Sequence, residues 1–442
     1  MINRRLNTSS LVTTESKIKA SRVRFGILTL IFINVVINYM DRSNISIAAP
    51  LLSKDLELNS VQMGLILSAF GWAYALLQIP GGWLVDRVSP RVLYMITLGL
   101  WSFATLLQAA AKGFAGLFGL RLSLGVLEAP AYPTNNRIVT SWFPEHERAS
   151  AISFYTSGQF VGLAFLTPIL VAIQDAFGWK GLFFVTGLVG IIWAVIWYWQ
   201  YRDPYESEKV NEKELEYIRE GGGLIEWNVE QRAENNKKLN WKELKIVLTQ
   251  RKLWGVYIGQ FAVNSTLWFF LTWFPTYLVE YRHLAFIKAG FLASLPFLAA
   301  FVGVLLSGFL SDFLVRRGVS VGVARKTPII IGLLLSTFII GANYVNTPSF
   351  IILFMVIAFL GNGLASITWI FVSTLAPKNL VGLTGGVFNF IGNLSSIVIP
   401  IVIGFLAKGG NFSPALVFIA TVAFVGALSY IFLVGKVERI EA

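Results

Sequence analysis

Residues 25–47 read FGILTLIFINVVINYMDRSNISI, an apolar run with Asp41 and Arg42 set inside it. A helix needs about 20 residues to cross the ~30 Å hydrocarbon core of a bilayer, and this run is long enough. In lipid the backbone must satisfy its own hydrogen bonds, so the run has to be helical. It is too long for the apolar region of a cleavable signal peptide, and no small-residue cleavage site follows it. It therefore reads as a permanent span. Similar runs recur along the chain, at 25–47, 61–85, 91–111, 113–137, 150–174, 179–201, 253–279, 286–311, 326–345, 349–376, 380–407 and 413–435. Composition agrees: 55% of the 442 residues are hydrophobic and 14% charged, far from the half-apolar, quarter-charged mix of soluble domains. The predicted fold is all-α, a polytopic membrane protein of twelve transmembrane helices.

A net charge of +12 invites a nucleic-acid reading, but the placement of the charge removes it. With both termini in the cytoplasm, the loops on the far side hold only Lys54, Lys112, Lys180, Arg282, Lys288 and Lys408 of the 36 Lys and Arg. Arg42 and Arg121 fall within spans, and the others lie on the cytoplasmic side or at its boundary. That asymmetry is the positive-inside pattern and sets the orientation. The segment 202–252, rich in Lys, Glu and Asn, then divides the chain. The expected organisation is a cytoplasmic tail at 1–24, a six-helix bundle at 25–201, a solvated linker at 202–252, a second six-helix bundle at 253–437 and a short cytoplasmic tail at 438–442. Within the linker, Trp241, Leu244, Val247 and Leu248 recur at helical spacing and predict a short helix on the membrane surface or against the bundle.

Several function classes drop out. Without cysteine there is no disulfide framework, thiolate metal site or cysteine nucleophile. The two histidines, His146 and His283, fall in predicted loops, and no metal site or enzyme constellation is visible. The Gly435-Lys436 pair is followed by valine, so no phosphate-binding loop is present. No cofactor is expected.

The two halves echo each other. Gly82-Trp-Leu-Val-Asp86-Arg87 ends the second run and Gly308-Phe-Leu-Ser-Asp312 ends the eighth, the second of its own half. Such a repeat implies two pseudo-symmetric bundles with a site between them. Ionisable groups within spans cost about 2.5–3.5 kcal/mol each on insertion scales, so they face an aqueous cavity or one another. Four lie deep here, all in the first half: Asp41, Arg42, Arg121 and Glu128. Arg121 and Glu128 are seven residues apart, hence on one helix face about 10 Å apart along the axis. They could be ion pairs that only join helices, but buried pairs stabilise poorly against packed apolar residues. The competing reading is an anion site with titratable neighbours. Arg121 offers a planar fork for a carboxylate. Protonating Glu128 would leave Arg121 free for a substrate anion, and proton and anion would then favour each other's binding. Second-half spans supply uncharged groups instead: Asn264, Trp268, Ser366, Thr368, Trp369, Asn389 and Asn393. These suit a polyhydroxylated ligand, although such groups also bridge helices.

Two stretches carry a family resemblance. The element Gly82…Asp86-Arg87…Arg91, with Ser89 where a glycine is usual, resembles that of the major facilitator superfamily. The run Arg121-Leu-Ser-Leu-Gly-Val-Leu-Glu128-Ala-Pro-Ala-Tyr-Pro-Thr-Asn-Asn136-Arg137, then Trp142-Phe-Pro-Glu-His-Glu-Arg148, together with Tyr39-Met-Asp41-Arg42, resembles its anion:cation symporter family. Gly158-Gln159-Phe-Val-Gly162 and Ala365-Ser366-Ile-Thr368-Trp369 are similar to the D-galactonate transporters of bacteria. Gly392-Asn393-Leu-Ser-Ser-Ile looks more like the glucarate transporters. The resemblance implies the major facilitator fold in a bacterial inner membrane, working as a monomer. It also implies import of a sugar-acid anion with protons by alternating access. Asp41 and Glu128 would carry protons. Tyr39, Arg42, Tyr74, Arg121, Gln159, Ser366, Thr368, Trp369 and Asn389 would hold substrate, and Asp86, Arg87 and Asp312 would gate. Gly158 and Gly162 are expected to allow close helix packing rather than to touch ligand. A glucarate, galactarate or hexuronate substrate, sodium coupling, anion exchange and a non-transporting receptor are the alternatives.

Overall fold

The computed structural model describes residues 20–85, 87–225, 241–377 and 380–440. Among them the regular structure is helical and no strand occurs. Ten helices are long and apolar enough to cross a membrane. One of these, Glu145–Gln200, contains two spans, because Gly178 at φ 70° breaks it where no other residue would sit without strain. Arg251–Thr272, less apolar because Gln260, Asn264, Ser265 and Thr266 interrupt it, completes the set of twelve.

In order, span 1 is Val23–Asp55, span 2 Ser60–Val85, and span 3 Pro90–Gln108. Span 4 is Phe114–Glu128 continued by Ala131–Trp142, and spans 5 and 6 share Glu145–Gln200. After the linker come span 7 (Arg251–Thr272), span 8 (Phe286–Arg316) and span 9 (Val321–Ser336, tightening to a 3-10 helix at Thr337–Tyr344). Span 10 runs from Pro348–Leu364 through a 3-10 turn, Ala365–Thr368, into Trp369–Leu375. Span 11 joins Val381–Asn393 to Ser395–Leu406, and span 12 is Ser413–Leu428. Irregular backbone at membrane depth persists only where protein or a water-filled cavity surrounds it. The breaks in spans 4, 10 and 11 fall beside Glu128, at Ser366–Thr368 and at Asn393, where the sequence also places polar side chains.

The halves meet on the periplasmic side. Span 2 packs along Ser395–Leu406 of span 11, and span 5 packs along span 8. Backbone touches backbone there: a Cβ on Gly64 would lie 2.6 Å from the Pro400 carbonyl oxygen, and one on Gly71 would overlap Ser396. Toward the cytoplasm the contacts between the halves thin out among the described residues. One hydrophobic core runs through the first half and the periplasmic part of the second, from Ile27 to Ala420. A separate core, around Val256, Leu333, Phe371 and Tyr430, belongs to the cytoplasmic part of the second half alone. The molecule is therefore sealed toward the periplasm and parted toward the cytoplasm, an inward-facing arrangement.

The linker is less solvated than its composition suggests. Its helix Glu212–Glu220 packs on the first half and buries Glu214 and Ile218 completely. Glu214 accepts hydrogen bonds from Ser21 Oγ (2.6 Å), the Val23 amide (3.0 Å) and Arg24 Nη1 (2.9 Å). The first amides of span 1 have no partner in their own helix, and a carboxylate there satisfies one and complements the helix dipole. The short helix expected from Trp241 is present as Trp241–Thr249, with Val247 buried and Trp241 exposed. His146 sits in the first turn of Glu145–Gln200 rather than in a loop, 3.0 Å from the Tyr217 hydroxyl.

Candidate functional site

All four intramembrane charges are buried, and spans 1, 2, 3 and 4 bring them together. Span 4 can come this close because Gly125 lies against the backbone of span 2 at Phe70. The geometry resolves how the charges pair. Arg42 Nε donates to Glu128 Oε1 at 3.0 Å, forming a buried ion pair. Asp41 Oδ2 instead accepts from the Trp101 indole at 3.0 Å. Arg121 Nη1 donates to the backbone carbonyl of Asp41 at 3.1 Å. Among the described residues no carboxylate comes within 4.0 Å of Arg121. The sequence reading tied Glu128 to Arg121 because they share a helix face. In the structure Arg42 reaches across from span 1 and pairs with Glu128, while Arg121 turns to the Asp41 carbonyl oxygen.

Aromatic rings surround the two arginines. The Arg42 guanidinium lies 4.9 Å from the Tyr39 ring centroid and 4.7 Å from those of Phe70 and Tyr74. Arg121 lies 5.7 Å from the same Phe70 ring. Contacts of this kind hold a desolvated cation by roughly 0.5–2 kcal/mol each and leave its hydrogen-bond donors unused. Indeed Arg42 Nη2, Arg121 Nε, Asp41 Oδ1 and Glu128 Oε2 are buried with no hydrogen-bond partner in the protein. Buried polar atoms seldom stay unpaired, and a cluster of them calls for an explanation such as a ligand or ordered water.

Phe70 also reaches the other half, its ring 6.1 Å from that of Trp268 on span 7. Close by in sequence, Gln260 links two more second-half residues: its Oε1 accepts from Thr368 Oγ1 at 2.6 Å, and its Nε2 donates to Asn264 Oδ1 at 3.3 Å. Asn393 Nδ2 donates to the Asn389 carbonyl oxygen at 3.0 Å, and the Trp369 ring meets Phe388 edge-on. Ser366 lies in the 3-10 turn of span 10. Gln159, half-buried on span 5, makes no hydrogen bond to the four charged residues. Gly158 and Gly162 do allow span 5 to pack on span 1, at Phe32 and Val36. Asp86 lies outside the described residues, as does the side chain of Asp312. Arg87 follows the end of span 2.

Residues 31–324 match the family described as Major Facilitator Superfamily. The chain belongs to the Major Facilitator Superfamily. It is a multi-pass membrane transporter of that family and not an enzyme. A D-galactonate transporter of Escherichia coli O6:H1 is 56% identical over 422 residues, covering 96% of this chain and 98% of that protein. A probable galactarate/D-glucarate transporter, GudP, of Bacillus subtilis is 42% identical, covering 96% and 94%. These relatives are bacterial, in keeping with a cytoplasmic-membrane protein. Among solved structures of the superfamily fold, a bacterial homolog of the human lysosomal transporter Spinster aligns with a TM-score of 0.74 at 18% identity, covering 94% of this chain and 97% of that one. The xylose transporter XylE of E. coli aligns at 0.71 and 14%, covering 94% and 98%.

Three residues of this superfamily site escaped the sequence reading. Phe70 and Trp101 carry no signal, being aromatic residues in apolar runs. Gln260 did carry one, as an amide one helical turn before Asn264 in an otherwise apolar stretch.

Proposed function

We propose that this protein imports a sugar-acid anion, a D-galactonate-like hexonate, together with protons. Arg121 is the observation that carries the reading. Burying a guanidinium with no carboxylate in ion-pair contact is expensive unless an anion arrives to share the site. A substrate carboxylate would take the two-pronged contact that Arg121 offers. Arg42, Tyr39 and Tyr74 complete the wall on that side, with Gln159 further along span 5. Ser366, Thr368, Trp369 and Asn389 suit the hydroxyls from the opposite half. The named activities of the relatives, galactonate at 56% identity and galactarate or glucarate at 42%, support the substrate class.

Glu128 and Asp41 are the proposed proton carriers, and no other cofactor enters. Glu128 gains a proton as Arg42 is drawn toward substrate, and Asp41 gains or loses one beside Trp101. The proposed gate is the charge set Asp86, Arg87 and Asp312 at the cytoplasmic ends of spans 2 and 8, which would hold the halves together when the molecule faces outward. One protein chain contains the whole site, so a monomer suffices.

Uptake into proteoliposomes under imposed gradients tests the proposal. An inward proton gradient should drive galactonate accumulation, and a protonophore should abolish it. Uptake that follows sodium and ignores the proton gradient removes proton coupling. Transport of galactarate or glucarate in preference to galactonate moves the substrate to the hexarates.

A further inference from the structure

The segment that follows span 12 and the first turn of span 7 enclose a basic groove at the cytoplasmic end of the second half. Its volume is about 590 Å³, and its lining includes Arg251 and Lys252 from span 7, Phe432 from the π-helical turn Ser429–Leu433 that follows span 12, Gly435 just after that turn, and Arg439 from the tail. The three cations thus come from the two ends of the second half, Arg251 and Lys252 from its start and Arg439 from its finish, and no acidic side chain lines the groove among the described residues. Arg251 uses one of its donors to hold the Phe432 carbonyl oxygen at 2.8 Å, and Lys326 holds that of Gly435 at 2.6 Å. Those bonds fix the wall and leave Arg251 most of the five donors of a guanidinium. The tail is pinned as well, by the Ile440 amide on the Leu375 carbonyl oxygen at 2.9 Å. The groove is thus built from tethered backbone rather than from loose lysines.

Its surroundings identify the ligand. Phe432 is 63% exposed and Trp254 41%, so a membrane-facing apolar surface adjoins the cations. The positive-inside pattern puts this end at the cytoplasmic leaflet, at headgroup depth. Cations between transmembrane helices at that depth attract anionic headgroups. We propose that this groove binds the phosphate of an anionic phospholipid, with Arg251, Lys252 and Arg439 on the phosphate oxygens and the acyl chains along Phe432 and Trp254. A free phosphate shares the headgroup's chemistry but would gain nothing from the aromatic surface.

Native mass spectrometry of the full-length protein, titrated with phosphatidylglycerol or phosphatidylcholine, tests this. Phosphatidylglycerol should stay bound where phosphatidylcholine does not. Replacing Arg251, Lys252 and Arg439 together by Gln should weaken its retention on the order of 100-fold, taking each cation's share at a membrane surface. Arg439→Gln alone, in the exposed tail, should give a smaller loss and guards against misfolding of the triple variant. A charge-matched control, Lys209→Gln with Lys213→Gln and Lys245→Gln on exposed linker positions, should retain the lipid. Equal retention of both lipids, or equal loss in the control, overturns the site. Displacement of phosphatidylglycerol by millimolar inorganic phosphate overturns the lipid assignment and leaves a soluble-anion site.

Discussion

The two halves of this transporter share a helix order but not a chemistry. The first half brings Asp41, Arg42, Arg121 and Glu128 together, buried, from spans 1 and 4, with aromatic rings around the arginines. The second offers amides, hydroxyls and a tryptophan, linked through Gln260. Charge is the costliest thing to hold at membrane depth, and a carboxylate can change its charge, whereas an amide cannot. In the function proposed above, the division separates two tasks, with one half gripping and sensing charge and the other reading the neutral part of the cargo.

The sharpest way to break that division is to remove the titration. In Glu128→Gln the side chain keeps a hydrogen-bonding oxygen for Arg42 but can no longer release a proton. Gradient-driven accumulation should vanish while exchange of labelled for unlabelled substrate survives, both measured in the same liposomes. Normal accumulation would take the coupling role from Glu128. Glu128→Ala should instead lower thermal stability, since stripping one partner from a buried ion pair costs about 3–5 kcal/mol.

Arg121→Lys comes next in size. It keeps the charge but not the fork, and losing one charged hydrogen bond of about 1.5–3 kcal/mol should weaken galactonate binding about tenfold or more by calorimetry. Near wild-type affinity would make Arg121 a structural residue. Gly71→Ala probes the seal rather than the site. The added methyl meets Ser396 across the interface, so outward-open molecules should be enriched, read as raised periplasmic labelling of cysteines introduced into this cysteine-free chain. Unchanged labelling would show that the seal accommodates the methyl.

The smallest effect belongs to the second half. Thr368→Val keeps the shape but leaves Gln260 Oε1 without its donor. The ratio of galactonate to glucarate uptake should shift severalfold with proton coupling intact. A loss of coupling from this substitution would erase the division of tasks between the halves.

Much of this was legible before the structure. Apolar run length fixes the twelve helices, and the cost of charge in lipid singles out Asp41, Arg42, Arg121 and Glu128. What escaped was partner choice. Helical periodicity relates Arg121 to Glu128 because it acts within one element, whereas the Arg42–Glu128 pair depends on how spans 1 and 4 pack. Trp101 was invisible for the same reason. The buried Glu214 was misread by composition, because a charged linker looks solvated until the unpaired amides of another helix are brought to it.

The periplasmic closure at Gly64, Gly71, Pro400 and Ser396 rests largely on main chain, while the proposed cargo contacts are side chains. Mutation therefore reaches the two unequally. On the proposed function, a lineage that exchanges a hydroxyl or an amide of the second half acquires a new nutrient without redesigning the door, because the door asks mainly for small residues and says little about what passes through it.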